Sequence, residues 1–398
     1  MAGMGERSFR VLASVVAGLL VAGVLTATVG ARVLDDARVS RTPAPVDPSL
    51  DFDTAVDDIR ALVPALQRFV ERARGLTFVA DVNVTLLDDA SFRARLDDDA
   101  ESDLEEIGET SRVLRALGLI DHDVDLEDAR NDLLGDAVAG FYDPETSELV
   151  VRGARPTALV RRVLVHELTH ALQDQRFELH RPQLDDRDDE AGLGFTALVE
   201  GDAVRIERMY ERQLPKKERR AAAREERAQT QGLLDSDIPP VLFQFLGFPY
   251  AAGPPFVEAL IEAGGQTRLD AAFASPPVTT EQLLHPETFL AGDKGIEVKP
   301  PAADGDVFDQ GVLGEFGLYV ILSADLSPFE AGAAARGWAG DWYVAWDEGS
   351  DTCVRATIAS DGASERRELR RALAKWADDH GDVAIDDDGA LTTLTACG

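Results

Sequence analysis

Residues 163–175, VLVHELTHALQDQ, hold two histidines four residues apart with a glutamate between them: His166, Glu167 and His170. On a helix, a spacing of four puts both imidazoles on one face, one turn apart. Imidazoles so placed can share a zinc ion about 2 Å from each nitrogen. Glu167 then stands beside the metal, where it can take a proton from a water there and hand it to a leaving amine. This is the chemistry of a zinc hydrolase, and the HExxH pattern has that mechanism behind it. The chemistry requires a third protein ligand and an open fourth position.

The other histidines are His122, His180, His285 and His380, and none lies at the short spacing past His170 that three-histidine sites use. A carboxylate on a following helix is the alternative. FTALVEGDAVRIERMY supplies Glu200 in an otherwise apolar stretch, thirty residues past His170. A lone carboxylate buried there is costly unless it is paired or bound to a metal. Glu200 is therefore the expected third ligand. Asp202, two residues on, and Asp174, one turn beyond His170, are candidates to hydrogen-bond a ligand imidazole. A neutral donor to the oxygen that gains charge would complete the site. His285 in LLHPE and Tyr250 in GFPYAAG are the candidates for it.

These residues need elements to position them. The pattern predicts a helix from about Pro156 to Phe177 carrying the histidines, and a second from about Glu190 to Gln213 carrying Glu200. AVAGFYDPETSELVVRG reads as a β-hairpin ahead of the first, and DVNVTLL as a strand. FDTAVDDIRALVPALQRFVERARG has helical periodicity interrupted by Pro64, and KKERRAAAREERAQ reads as a charged continuation of the Glu190–Gln213 helix with a solvated face. From residue 233 prolines and aromatics surround a short helix, and from about residue 307 strands and helices alternate. The expected class is α+β, with residues 51–300 forming the ligand-bearing domain and 301–398 a smaller α/β segment packed on it.

The chain of 398 residues carries a net charge of −33. Such a surface repels nucleic acid and anionic lipid, so neither is an expected partner, and it suits solubility at high ionic strength. The run Asp185, Asp186, Asp188, Asp189 reads as solvated surface, with calcium the other reading. Near the N-terminus, Arg7 and Arg10 precede twenty uncharged residues. Residues 1–31 therefore read as a signal peptide or a membrane-spanning anchor, followed by a linker over 32–50. Either reading places the rest of the chain outside the cytoplasm, with the membrane met only through that helix. Cys353 and Cys397, the only cysteines, can pair in such a compartment.

HELTH with a glutamate on the next long helix resembles the gluzincin type of zinc metallopeptidase. VHELTHALQDQ, ALVEGDA, FPYAAGPPFV and PPVTTEQLLHPE are together similar to a group of predicted exported bacterial metallopeptidases, over about residues 50–345. The resemblance implies a zincin-like core, a sheet lobe and a helical lobe, with Zn2+ on His166, His170 and Glu200 and with Glu167 as general base. It also implies a cleft in which a peptide pairs beside an edge strand, for which VAGFYDP, with Gly140, is the candidate. The interval from His170 to Glu200 is longer than in thermolysin-like enzymes. The expected function is an exported zinc peptidase acting on peptide or protein. The alternatives are a cell-wall peptide amidase and a non-catalytic, zinc-stabilised surface protein.

Overall fold

The structure, a computed structural model, describes residues 17–19, 59–100, 104–153, 155–181, 184, 189–234 and 236–398. The linker, most of residues 1–31, and Asp185, Asp186 and Asp188 of the acidic loop lie outside them. The described residues form thirteen helices and two sheets, a mixed α+β architecture.

The first sheet has the order β1-β3-β4-β2, with β1 at Ala17–Leu19, β2 at Asn83–Leu87, β3 at Val138–Asp143 and β4 at Glu148–Arg152. β3 and β4 are the expected hairpin. Its turn is closed by Asp143, whose carboxylate accepts from the Glu145 N–H (2.9 Å) and the Thr146 hydroxyl (2.6 Å). β2 adds parallel to β4.

Two expectations are corrected here. No helix among the described residues is long and apolar enough to cross a membrane. Within the apolar N-terminal run, Ala17–Leu19 is strand, with Gly18 opposite Gly140. Extended backbone gives its hydrogen bonds to a neighbour, whereas a membrane-spanning helix keeps them within itself. The same pairing means that β3 has strands on both sides, so VAGFYDP is not an open edge.

Helix α1 (Ile59–Arg74) runs through Pro64 and lays Leu62, Leu66, Phe69 and Val70 against the sheet and the histidine helix. Helices α2 (Asp89–Ala100), α3 (Leu104–Ala116) and α4 (Leu126–Ala137) precede the hairpin. Helix α5 (Ala158–Phe177) carries the histidines and starts at Thr157, whose hydroxyl caps the Val160 N–H at 3.2 Å. It is buried all round from Val163 to Gln173, as a helix through the middle of a core must be. Helix α6 (Asp189–Gln213) lies between the two main apolar clusters, one with α5 and the first sheet, the other with the C-terminal half. The charged segment expected to continue α6 is instead a separate helix, α7 (Lys216–Leu234), set off by Leu214 and Pro215.

The segment read as a short helix is in fact α8 (Pro240–Ala274), 35 residues with three internal prolines and a kink at Gly264–Gly265. Helices α9 (Thr280–Leu284) and α10 (Pro286–Ala291) lead to the second sheet. Its order is β5-β6-β7-β9-β8, all antiparallel, with β5 at Val307–Gly311, β6 at Trp338–Glu348, β7 at Asp351–Ser360, β8 at Asp382–Asp387 and β9 at Leu391–Cys397. Helices α11 (Gly314–Ser323), α12 (Pro328–Ala335) and α13 (Ala363–Ala377) pack with it. Cys353 and Cys397 are opposite one another on β7 and β9 and are joined by a disulfide.

Candidate metal centre

On α5 the rings of His166 and His170 lie edge to face, 4.7 Å between centroids. On α6, Glu200 turns one carboxylate oxygen to both: its Oε2 is 3.0 Å from His166 Nε2 and 3.6 Å from His170 Nε2. One ligand atom from each of the three residues lies within 4.8 Å of the others, and all three side chains are buried. The second such group among the described residues is Glu348 with Cys353 and Cys397, whose sulfurs are already bonded to each other.

What lies behind the imidazoles fixes which nitrogen faces inward. The Gln173 amide nitrogen donates to the Val199 carbonyl (3.1 Å) and to Asp202 (3.2 Å), both acceptors only. The amide oxygen is therefore the atom that meets His170 Nδ1 at 2.9 Å, so Nδ1 carries the proton. In the neutral ring that leaves His170 Nε2 as a lone pair, buried, with no hydrogen-bond partner. A buried acceptor of this kind is costly, and a cation between it and Glu200 would satisfy it. His166 Nδ1 is met instead by Glu207 Oε2 at 3.0 Å, and the other oxygen of Glu207 is paired with Arg162 at 2.7 Å. Glu200 Oε1 is likewise buried without a hydrogen-bond partner, and the buried Glu167 carboxyl has the Tyr142 backbone beside it. These orphaned atoms and the donor set, two imidazoles and a carboxylate, fit a zinc ion.

Charge in the site is set by burial and by the ring of carboxylates. Burial pushes Glu167 up to about 7, against the opposing pull of His166 and His170. Burial alone would also raise Glu200, but the two imidazoles outweigh it and hold the group down at about 2. Burial would lower His166, and its hydrogen bonds to Glu200 and Glu207 more than reverse that. Two carboxylates on adjacent helices, Glu167 on α5 and Glu200 on α6, thus sit in neighbouring environments that separate their acidities.

Of the other residues singled out, Tyr250 on α8 stacks on His166 with 6.3 Å between ring centroids. Asp202 meets no imidazole directly. It accepts from Gln173 and pairs with Arg74 of α1 at 2.6 Å, and Arg74 reaches on to Gln266 and Asp270 beyond the α8 kink. Asp174 is corrected outright: it accepts the Tyr142 hydroxyl (2.8 Å) and the Leu179 N–H (2.9 Å), holding β3 and the end of α5. Glu207, Gln173, Arg162 and Arg74 were not singled out from the sequence. The signal for Glu207 was its spacing, seven residues past Glu200 and so two turns along the same helix face.

His285 is also corrected. Its Nε2 is bonded to Glu315 of α11 at 3.0 Å, since a buried carboxylate across the fold competes for the ring. Glu281, half-buried nearby, is pushed up to about 7 by burial and then by Glu315, Asp361 and Asp293. Between the usual carboxylate range and that value, the folded chain keeps a proton that the unfolded chain releases. The stabilisation is present at low pH and is lost as pH rises through about 7. Glu281→Gln should therefore gain thermal stability over wild type at about pH 8.5 and not at about pH 5. A gap that is the same at both pH values in melting curves contradicts this.

The C-terminal residues 304–396, from the approach to β5 to the penultimate residue of β9, match the family model of a domain of unknown function (DUF8575). The chain has no match among curated proteins and none among solved structures. The matched segment contains none of His166, Glu167, His170 and Glu200, so what is similar to that domain is the sheet-bearing C-terminal part of the chain.

Proposed function

We propose that the chain is an exported zinc-dependent peptidase, with the metal held by His166, His170 and Glu200 on a zincin-like core. The observation that carries this reading is the buried, donorless Nε2 of His170, aimed with His166 Nε2 at one oxygen of Glu200. A zinc ion there would supply Lewis acidity for a substrate carbonyl and make water a stronger acid.

The chain's own residues do the rest. Glu167, one residue past His166, accepts the proton of the attacking water and passes it to the leaving amine. A carboxylate poised near 7 suits both halves of that transfer. Tyr250, against the His166 ring, is the donor we assign to the oxygen that gains charge. Gln173 and Asp202 hold the His170 ring, with Arg74 neutralising Asp202. Export is supported by the Cys353–Cys397 disulfide, a bond that persists in oxidising compartments. A narrow-specificity amidase of cell-wall peptide, which would use the same donor set, is the second reading.

The test is zinc content of the purified full-length protein together with chelator-sensitive hydrolysis of a peptide library. One zinc per chain with cleavage supports the reading. Zinc without cleavage of any library peptide points to the amidase or to a non-catalytic role, and no zinc uptake removes the site.

A further inference from the structure

We infer that Glu207 is a positioning residue for the His166 side of the centre, holding the Nδ1 proton so that Nε2 faces Glu200; this rests on the metal reading above. Glu200 and Glu207 lie on one face of α6, so a single helix offers one carboxylate to Nε2 (3.0 Å) and another to Nδ1 (3.0 Å) of the same ring. A carboxylate can only accept, so Glu207 keeps a hydrogen on Nδ1, and with a metal bound the lone pair is left to Nε2. It also makes the ring a stronger donor through Nε2, as partners behind metal-binding histidines do.

The two imidazoles are therefore held differently. His170 is backed by a neutral amide and His166 by an anion. The anion is supported in turn. Arg162, four residues before His166 on α5, pairs with Glu207 at 2.7 Å and with Glu226 of α7 at 2.7 Å. α7 thereby reaches the centre through two ion pairs without contributing an atom to it. The competing account makes Glu207 only a counterion for Arg162. Glu226 already serves that need, and a counterion has no reason to turn its second oxygen to an imidazole.

The experiment measures zinc affinity by competition with a chromophoric chelator, using the full-length protein, Glu207→Gln, Glu226→Gln and His166→Ala. Glu207→Gln should bind zinc roughly 10–100-fold more weakly, while Glu226→Gln stays at the wild-type value. Unchanged affinity in Glu207→Gln, with His166→Ala losing zinc, overturns the inference. If Glu207→Gln does not fold, nitrogen-15 spectra of the wild-type histidines decide. A His166 proton on Nδ1, shifted downfield and kept on zinc addition, supports the assignment, and a proton on Nε2 of the zinc-loaded protein overturns it. A wild-type chain that takes up no zinc fails at the metal reading itself, a result distinct from a failure of Glu207 alone.

Discussion

Glu167→Gln is expected to cut amide hydrolysis by about 10²- to 10⁴-fold, the usual contribution of a positioned general base, while zinc content stays at the wild-type level. The expectation follows from what surrounds the side chain. The carboxyl group is fully buried and its interaction outside the two histidines and Glu200 is with the Tyr142 backbone of β3, which a glutamine of the same shape can also meet. Glutamine keeps the shape and removes only the ability to take a proton. Zinc should stay because the residues that hold it in this reading are His166, His170 and Glu200. The measurement is kcat alongside metal content for both proteins. Loss of zinc together with activity would show that Glu167 supports the metal, and unchanged kcat would remove it from the chemistry.

The pH profile provides a second readout of the same residue. A base raised by burial loses its function as it protonates, and a bound zinc would pull it down again, so the acid limb of kcat/KM should lie below about 7 and be lost in Glu167→Gln.

How much of this was legible before the fold was known depended on how local each signal was. The two histidines were legible because one helix period puts them on one face, and Glu200 because a carboxylate inside an apolar run has few reasons to be there. Glu207 was hidden among the alternating charges of RIERMYER, where, its spacing from Glu200 aside, nothing in the sequence sets it apart from Glu211 or the arginines beside it. Only the packing of α6 on α5 shows Glu207 meeting His166 and Arg162. His285 was misplaced because its partner, Glu315, is thirty residues away across an intervening loop and strand. Tyr250 and His285 carried the same sequence signal, and only one of them reaches the histidines.

The long helix α8 was the least legible element. Prolines remove a backbone donor and crowd the turn before them, so Pro249, Pro254 and Pro255 read as breaks. The segment is helical nonetheless, because burial along Val241–Leu260 outweighs what the prolines cost. The α+β class was legible, since it follows from the alternation of helical and strand periods. The β1 pairing was not. An uncharged run of twenty residues reads as a spanning helix, whereas its described part, Ala17–Leu19, is a strand beside β3.

Gly253→Ala is expected to be among the most damaging small substitutions in the chain. Helices α6 and α8 cross with Gly201 against Gly253, backbone to backbone. A Cβ on Gly253 would overlap the Ala197 carbonyl oxygen and lie 2.9 Å from Gly201 N. Backbone cannot rotate away as a flexible side chain can, so the helices must part. Forcing one methyl into such a contact costs about 1–3 kcal/mol. The cost is also functional, because the crossing sits at the centre. Gly201 follows Glu200 directly, and Gly253 is one turn beyond Tyr250. Separating the helices draws Glu200 away from the two imidazoles and Tyr250 away from the His166 ring. Gly253→Ala should therefore lower both unfolding stability and zinc affinity. Gly108→Ala on α3, where a Cβ meets nothing within 4 Å, serves as the control. It should leave zinc binding alone and stabilise by up to about 1 kcal/mol, the helix preference of alanine over glycine. If Gly253→Ala matches that control in unfolding and zinc titrations, the crossing does not set the position of Glu200. A loss of stability with zinc affinity intact would mean that the α5–α6 contacts alone hold the three ligands together.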